Sequence, residues 1–231
     1  MSNIFITGGN SGLGHEAARQ LKALGHHVII GARDPEKGAH AATELEVDWV
    51  RIDVADSASV EAAAHEIDER FGAIDALVNN AGTTTPRKRP EDLDGEDAER
   101  VFQTNVMGIV RTIHAFTPLL RNSGNPVIVN VSSGLGSFGI TGDPGRAESK
   151  INNPVYSASK AAVNMLTRQY ARALPDIKIN AVDPGSTKTG LNGGFGMQTV
   201  EVGVEPIVRL ATIGPDGPTG CSFDRKGEIP W

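Results

Sequence analysis

Short apolar runs alternate with amphipathic helical patterns along this chain, and no other feature limits its folding so sharply. "NIFIT", "HHVIIGA", "VDWVRIDV", "IDALVNNAG", "NPVIVNVSS" and "IKINAVDPG" are apolar almost throughout. Strands of that kind have no solvent face, so they need cover on both sides, and the intervening helices supply it. Right-handed crossovers then predict an α/β fold: a doubly wound parallel sheet of about seven strands with helices on both faces. With 231 residues and no low-complexity linker, a single domain, 1–231, is the economical reading.

The helices carry recognisable ends. "SGLGHEAARQLKALG" places Leu13, Ala17, Leu21 and Leu24 on one stripe and stops at Gly25. Asp34 is read as the cap of the next helix, with Pro35 at its first position. The third helix is capped at Ser57 or Ser59 and stops at Gly72. A long helix covers Glu96 to Leu120. The helix holding Tyr156 has apolar residues at Val155, Ala158, Ala162, Val163 and Leu166. In "TVEVGVEPIVRLA", Pro206 marks a kink or a late start. "GCSFDRKGEI" is expected to form a terminal strand, and residues 83–97 and 138–154 to form surface loops.

Composition closes off several functions. A formal charge of −6 gives no electrostatic case for nucleic acid or an anionic membrane. Cys221 is the single cysteine, so no intrachain disulfide forms and a reducing cytoplasm is the expected location. The first residues lack the basic-then-apolar pattern of a signal peptide. No run approaches the roughly 18 apolar residues of a membrane span. The histidines are scattered, and no metal site is expected.

The first strand runs into "TGGNSGLG", with Gly8, Gly12 and Gly14 opening the first helix. Glycines there let the backbone approach a pyrophosphate, and the helix N-terminus offers free N–H groups. Further along come "NNAG" (Asn79 to Gly82), Asn105 in "QTNVMG", "VNVSS" ending at Ser133, "YSASK" (Tyr156 to Lys160) and "DPGSTKT" from Asp183. Together and in this order, over nearly the whole chain, these motifs resemble the short-chain dehydrogenase/reductase family. The resemblance implies a Rossmann-type NAD(P)-binding domain that also carries the substrate site. It implies cofactor contacts from Gly8, Asn10, Ser11, Gly12, Leu13, Gly14, Asp53, Val54, Asn80, Ala81, Gly82, Tyr156 and Lys160. Pro184, Gly185, Thr187 and Thr189 would shape the nicotinamide end.

The end of the second strand bears on which dinucleotide is used. An acidic residue there accepts hydrogen bonds from the ribose hydroxyls of NAD. In "IIGARD", Ala32 takes that position and Arg33 follows, a side chain suited to a 2′-phosphate. NADP(H) is therefore preferred, with NAD(H) possible through Asp34 if that residue is not spent as a cap.

Tyr156 and Lys160 stand one helical turn apart and share a face. A free phenol titrates near 10. An ammonium at about 5 Å, with an effective dielectric of about 20, is worth roughly 3 kcal/mol to the phenolate. The expectation is a phenol drawn toward neutral pH and fit for general acid–base work. Ser133, ending a strand on the ligand side of the sheet, would steady the reacting oxygen; Ser132 should face elsewhere. By resemblance Asn105 would hold a water linking Lys160 to solvent. The implied reaction is hydride transfer between nicotinamide and a ketone, aldehyde or secondary alcohol, a small-molecule carbonyl substrate.

The interval from Ser133 to Tyr156 exceeds the commonest family spacing, as in carbonyl-reductase-like members with an insert at this point. In those relatives the insert covers the helix face used for assembly, so a monomer or weak homodimer is expected. Glycines at 190, 193, 194 and 196 suggest an open substrate lid, with Phe138, Leu191, Phe195 and Met197 as candidate lining. A dinucleotide-binding regulator without turnover is the alternative. A sugar-nucleotide epimerase or dehydratase fits less well, since those relatives need a substantial C-terminal substrate domain.

Overall fold

A computed structural model describes all residues from Met1 to Trp231. The elements in chain order are β1 (Asn3–Thr7), α1 (Gly12–Ala23), β2 (His27–Ala32), α2 (Pro35–Leu45), β3 (Asp48–Arg51) and α3 (Ser57–Phe71). β4 (Ala76–Asn79), α4 (Gly95–Phe102), α5 (Gly108–Arg121), β5 (Val127–Val131) and α6 (Phe138–Thr141) follow. The last are α7 (Pro154–Ala173), β6 (Lys178–Val182), α8 (Val200–Gly203), α9 (Glu205–Ala211), β7 (Ser222–Phe223) and β8 (Glu228–Ile229). They build one sheet in the order β3-β2-β1-β4-β5-β6-β7-β8. All pairs are parallel except β7–β8. The strand count is eight rather than about seven, because the final segment folds back into two short strands instead of one.

The central strands are buried on both faces, as their composition requires. One core layer joins Ile4, Ile6, Val78 and Val129 to α1, α2 and α9. The other joins Phe5, Leu77 and Ile128 to α3, α5 and α7. Phe5 and Phe116 meet there with ring centroids 4.8 Å apart. β1 and β4 are neighbours at the point where the strand order reverses, so their carboxyl ends open the crevice in which ligands bind in such sheets.

Helix ends follow local chemistry. Asp34 accepts from Glu36 N and Lys37 N and caps α2 with Pro35 behind it. Gly72 closes α3 in the left-handed region, φ 70°. The α3 cap is Asp56, not Ser57 or Ser59; Ser59 Oγ instead accepts from Asp53 N at 2.9 Å. Two stripe residues sit outside the core: Leu24 is 63% exposed, past the end of α1, and Ala158 is on the solvent side of α7. The buried face of α7 is largely polar, with Ser159, Lys160, Asn164 and Thr167 beside Val163 and Ala171.

The long helix begins at Gly95, where Asp94 and Asp97 form a capping box, and widens into a π turn over Gln103–Met107. Pro206 stands in the first turn of α9 and marks its start after α8. The 138–154 segment is more than a loop: it contains α6 and a turn of 3₁₀ helix at Glu148–Lys150. No helix is long and apolar enough to cross a membrane.

Candidate active site

A cleft of about 1510 Å³ opens along the carboxyl ends of the strands. Gly8, Asn10, Ser11, Gly12, Leu13, Arg33, Asp53, Val54, Asn80, Ala81 and Gly82 line one end. Ser133, Tyr156, Lys160, Pro184, Gly185, Thr187 and Thr189 also lie on its wall. Two expected site residues, Gly14 and Asn105, are not on that wall and act from behind it.

The glycine turn is locked to the end of β4. Asn80 Nδ2 donates to Thr7 O at 2.9 Å and Gly8 O at 3.1 Å. Thr7 Oγ1 accepts from the main-chain N–H groups of Asn80 and Ala81, each at 3.0 Å. Gly8 has φ 65°, which a side chain would resist. A Cβ on Gly14 would stand 2.4 Å from both Gly8 O and Asn80 Nδ2, so Gly14 lets α1 start directly against the turn.

The residues present fit a dinucleotide. Ser11 makes no side-chain cap to α1, and the first turn of α1 holds no acid. Its free N–H groups therefore face the cleft uncompensated, as an anion site requires. Arg33 is exposed on the cleft wall and enters none of the ion pairs of the protein. Asp34 is off the wall, committed to α2.

At the other end, α7 begins at Pro154 under the cap of Asn153, whose Oδ1 accepts from Tyr156 N at 3.3 Å. Lys160 is 6% exposed and its Nζ donates to Val131 O at 2.7 Å. That nitrogen lies 5.6 Å from the centre of the Tyr156 ring. Ser133 Oγ accepts from Leu135 N at 3.2 Å, and its hydroxyl is near enough to the Tyr156 phenol to favour its ionisation. Ser132 turns away: its hydroxyl donates to Asn164 Oδ1.

Asn105 sits in the π turn, 1% exposed. Its Oδ1 accepts from Thr83 N at 2.8 Å, and its Nδ2 donates to Thr83 O at 2.9 Å and Ser159 Oγ at 3.0 Å. It therefore pins the segment after Gly82 to α7.

Ionisation of the pair departs from expectation. Burial pushes the Tyr156 phenol up to about 12; the Asp183 charge adds to the rise, and only the neighbouring Ser133 hydroxyl opposes it. Burial pulls the Lys160 ammonium down to about 8, against the opposing pull of Asp183. A phenol lowered toward neutrality by Lys160 is thus not what the protein by itself contains. The cause is dehydration of the phenolate, with a carboxylate nearby, which outweighs an ammonium whose own charge burial weakens.

Thr187 is 4% exposed, and its hydroxyl donates to Pro184 O at 3.0 Å while accepting from Gln198 Nε2 at 3.1 Å. Leu191, Phe195 and Met197 line the cleft, whereas Phe138 is 82% exposed and lies off it. Sequence reasoning did not find Asp183, Glu148 or Arg87 on the wall. A charge directly after the apolar run of β6 is the signal that would have singled out Asp183.

The model of the short chain dehydrogenase family matches residues 2–198. The chain is 38% identical over 224 residues to the short-chain dehydrogenase anuI of Penicillium roqueforti, covering 91% of this chain and 88% of that protein. It is 32% identical over 288 aligned positions to salutaridine reductase of Papaver somniferum, covering 95% and 93%. The NADPH-bound carbonyl reductase from chicken fatty liver superposes with a TM-score of 0.86 at 26% identity, over 100% of this chain and 99% of that one. The chain belongs to the short-chain dehydrogenase/reductase family. Its chemistry is that of an NAD(P)-dependent oxidoreductase acting on a small molecule.

Proposed function

We propose that the protein is an NADP(H)-dependent reductase of ketones or aldehydes, in one domain that holds both cofactor and substrate. One observation carries this reading: Ser133, Tyr156 and Lys160 meet on a cleft whose far end presents the unpaired Arg33 guanidinium. Arg33 would hold the 2′-phosphate, the α1 N-terminus the pyrophosphate, and Lys160 with the Pro184–Thr189 loop the nicotinamide end. The likeness to an NADPH-bound carbonyl reductase supports the same cofactor.

When bound, the nicotinamide supplies or accepts the hydride. Every other part falls to the chain. Ser133 Oγ hydrogen-bonds the reacting oxygen and steadies negative charge on it. Tyr156 hands its hydroxyl proton to that oxygen, and the protonated phenol favoured by burial is the form a reduction needs. Lys160 favours the phenolate that remains. The solvent link past Asn105 belongs to this reading, since its Oδ1 accepts one bond in the structure and keeps a second lone pair for a water.

A monomer or weak dimer in the cytoplasm completes the proposal. The segment between Ser133 and Tyr156 motivates the assembly state, and a sedimentation mass of four chains would overturn it. The functional test is a steady-state screen of ketones, aldehydes and quinones with NADPH and NADH. Carbonyl-dependent NADPH oxidation is expected; tight NADPH binding with no oxidation across the panel would favour a regulator instead.

A further inference from the structure

Both main-chain polar groups of Tyr156 are held by side chains of α7 that flank it. Tyr156 N donates to Asn153 Oδ1 at 3.3 Å, and Tyr156 O accepts from Ser159 Oγ at 2.7 Å. Each of these side chains reaches out of α7 to the same short stretch of chain. Ser159 Oγ accepts from Asn105 Nδ2, and Asn105 is bonded to both main-chain groups of Thr83. Asn153 makes the link directly. Its Oδ1 also accepts from Thr85 Oγ1 at 3.1 Å, and its Nδ2 donates to Thr84 Oγ1 at 3.3 Å. Thr83, Thr84, Thr85, Asn153 and Tyr156 all lie on the cleft wall. They follow Gly82, where a Cβ would stand 3.9 Å from Lys160 Nζ. A helix cap needs a single acceptor oxygen, so the two threonine contacts are more than capping asks of Asn153.

We propose that Asn153 is a positioning residue of the reductase site: its amide ties the start of α7 to Thr84 and Thr85, and so sets how far the Tyr156 hydroxyl stands from the wall beside the carbonyl substrate. The inference rests on the reductase reading of the same cleft. Proton transfer needs the acid within hydrogen-bond reach of the reacting oxygen, and a small misplacement slows it steeply. Without the Asn153 amide, the 82–88 segment would be hydrogen-bonded toward α7 only through Thr83, Asn105 and Ser159. The two arms differ in setting. Ser159 and Asn105 are buried, whereas Asn153, Thr84 and Thr85 are half-buried on the open wall. The Asn153 arm is therefore the one that fixes the wall where a substrate must pass.

The test separates the cap from the tie. Asn153→Ser keeps an oxygen for Tyr156 N–H, since serine caps helices about as well as asparagine, but its side chain is too short to hold both threonines. Thr84→Val with Thr85→Val leaves Asn153 in place as the cap and removes both hydroxyls. Assays are run where circular dichroism shows each variant folded. In each, kcat for carbonyl reduction is expected to fall by about two- to tenfold, the effect of a lost neutral hydrogen bond, with the NADPH Kd unchanged by fluorescence titration. All three substitutions together should cost no more than the worse of the two variants, because both cut the same tie. Hydrogen exchange over residues 82–88, read by mass spectrometry without substrate, should quicken in both. A role confined to capping would leave kcat and this exchange as in the parent, and either result in a folded variant would overturn the tie, as would losses that add. Quickened exchange in both variants of a parent that reduces no carbonyl would sustain the tie and sink the reductase reading.

Discussion

Lys160 Nζ donates a 2.7 Å hydrogen bond to the carbonyl oxygen of Val131, joining the second turn of α7 to the last residue of β5. The contact spends one of three ammonium donors and fixes the height of Lys160 relative to Ser133, which leaves β5 just beyond. It also buries the charge, and that burial has a measurable linkage.

The ammonium titrates near 8 in the folded protein against an ordinary 10.5. Between these values the unfolded chain holds a proton that the folded one has released, so this group makes stability rise with pH across the window. Lys160→Met removes the effect. Urea unfolding at pH 7, 8, 9 and 10 should show the variant most favoured over the parent below pH 8, with the gap narrowing toward pH 10. A constant gap would contradict the burial of the charge.

Tyr156→Phe should retain NADPH binding and lose turnover by about 10²- to 10⁴-fold, the usual share of a positioned general acid. Cofactor fluorescence and single-turnover rates separate the two. The same variant tests the raised phenol. Stability contributed by a phenol that titrates near 12 instead of 10.0 is complete below pH 10 and is lost as the pH climbs toward 12. The phenylalanine variant should be less sensitive to alkali over that range.

Arg33→Ala should raise the Michaelis constant for NADPH and leave that for NADH unchanged. Loss of a charge-assisted hydrogen bond costs about 1.5–3 kcal/mol, or roughly 10- to 150-fold. Equal effects on the two cofactors would place the 2′-phosphate elsewhere.

Gly14→Ala forces a methyl against Gly8 O, where 2.4 Å is available. Overpacking of this kind costs about 1–3 kcal/mol. The urea midpoint should fall accordingly, and cofactor affinity should fall with it, because the displaced atom belongs to the glycine turn.

Arg87 reaches over the cleft mouth. Its guanidinium lies 5.0 Å from the Phe195 ring centre and donates to Asn192 O at 3.3 Å, tying the segment after Gly82 to the loop after Thr189. An exposed contact of this type is worth about 0.5–1 kcal/mol. Arg87→Ala should speed proteolytic cutting within residues 190–197 by about two- to fivefold, with no change in cutting elsewhere.

Much of this was legible before any coordinates. The alternation of β1 through β6 with helices dictates the parallel sheet, and Asp34 and Gly72 mark helix ends through their own backbone chemistry. The motif residues assemble because each stands at a strand end or on one helical turn. The buried face of α7 was not legible. Ser159, Lys160, Asn164 and Thr167 read as polar, and they are inside because partners far along the chain satisfy them: Asn105, Val131 O, Ser132 and Asn130. Nor was the direction of the Tyr156 shift. Spacing displays Lys160 beside it but neither the dehydration of the ring nor the approach of Asp183 from β6. Phe138 failed as a lining residue because α6 turns it outward.

The bonds from Asn80 and Ala81 to Thr7 and Gly8 have a consequence for traffic. They fasten the glycine turn to two interior strands, β1 and β4, so it can open only when those strands separate. Amide exchange there should be as slow as in β1 and β4. Coenzyme must then enter and leave on the opposite bank, where the strap of Arg87 and Phe195 can swing without disturbing any strand.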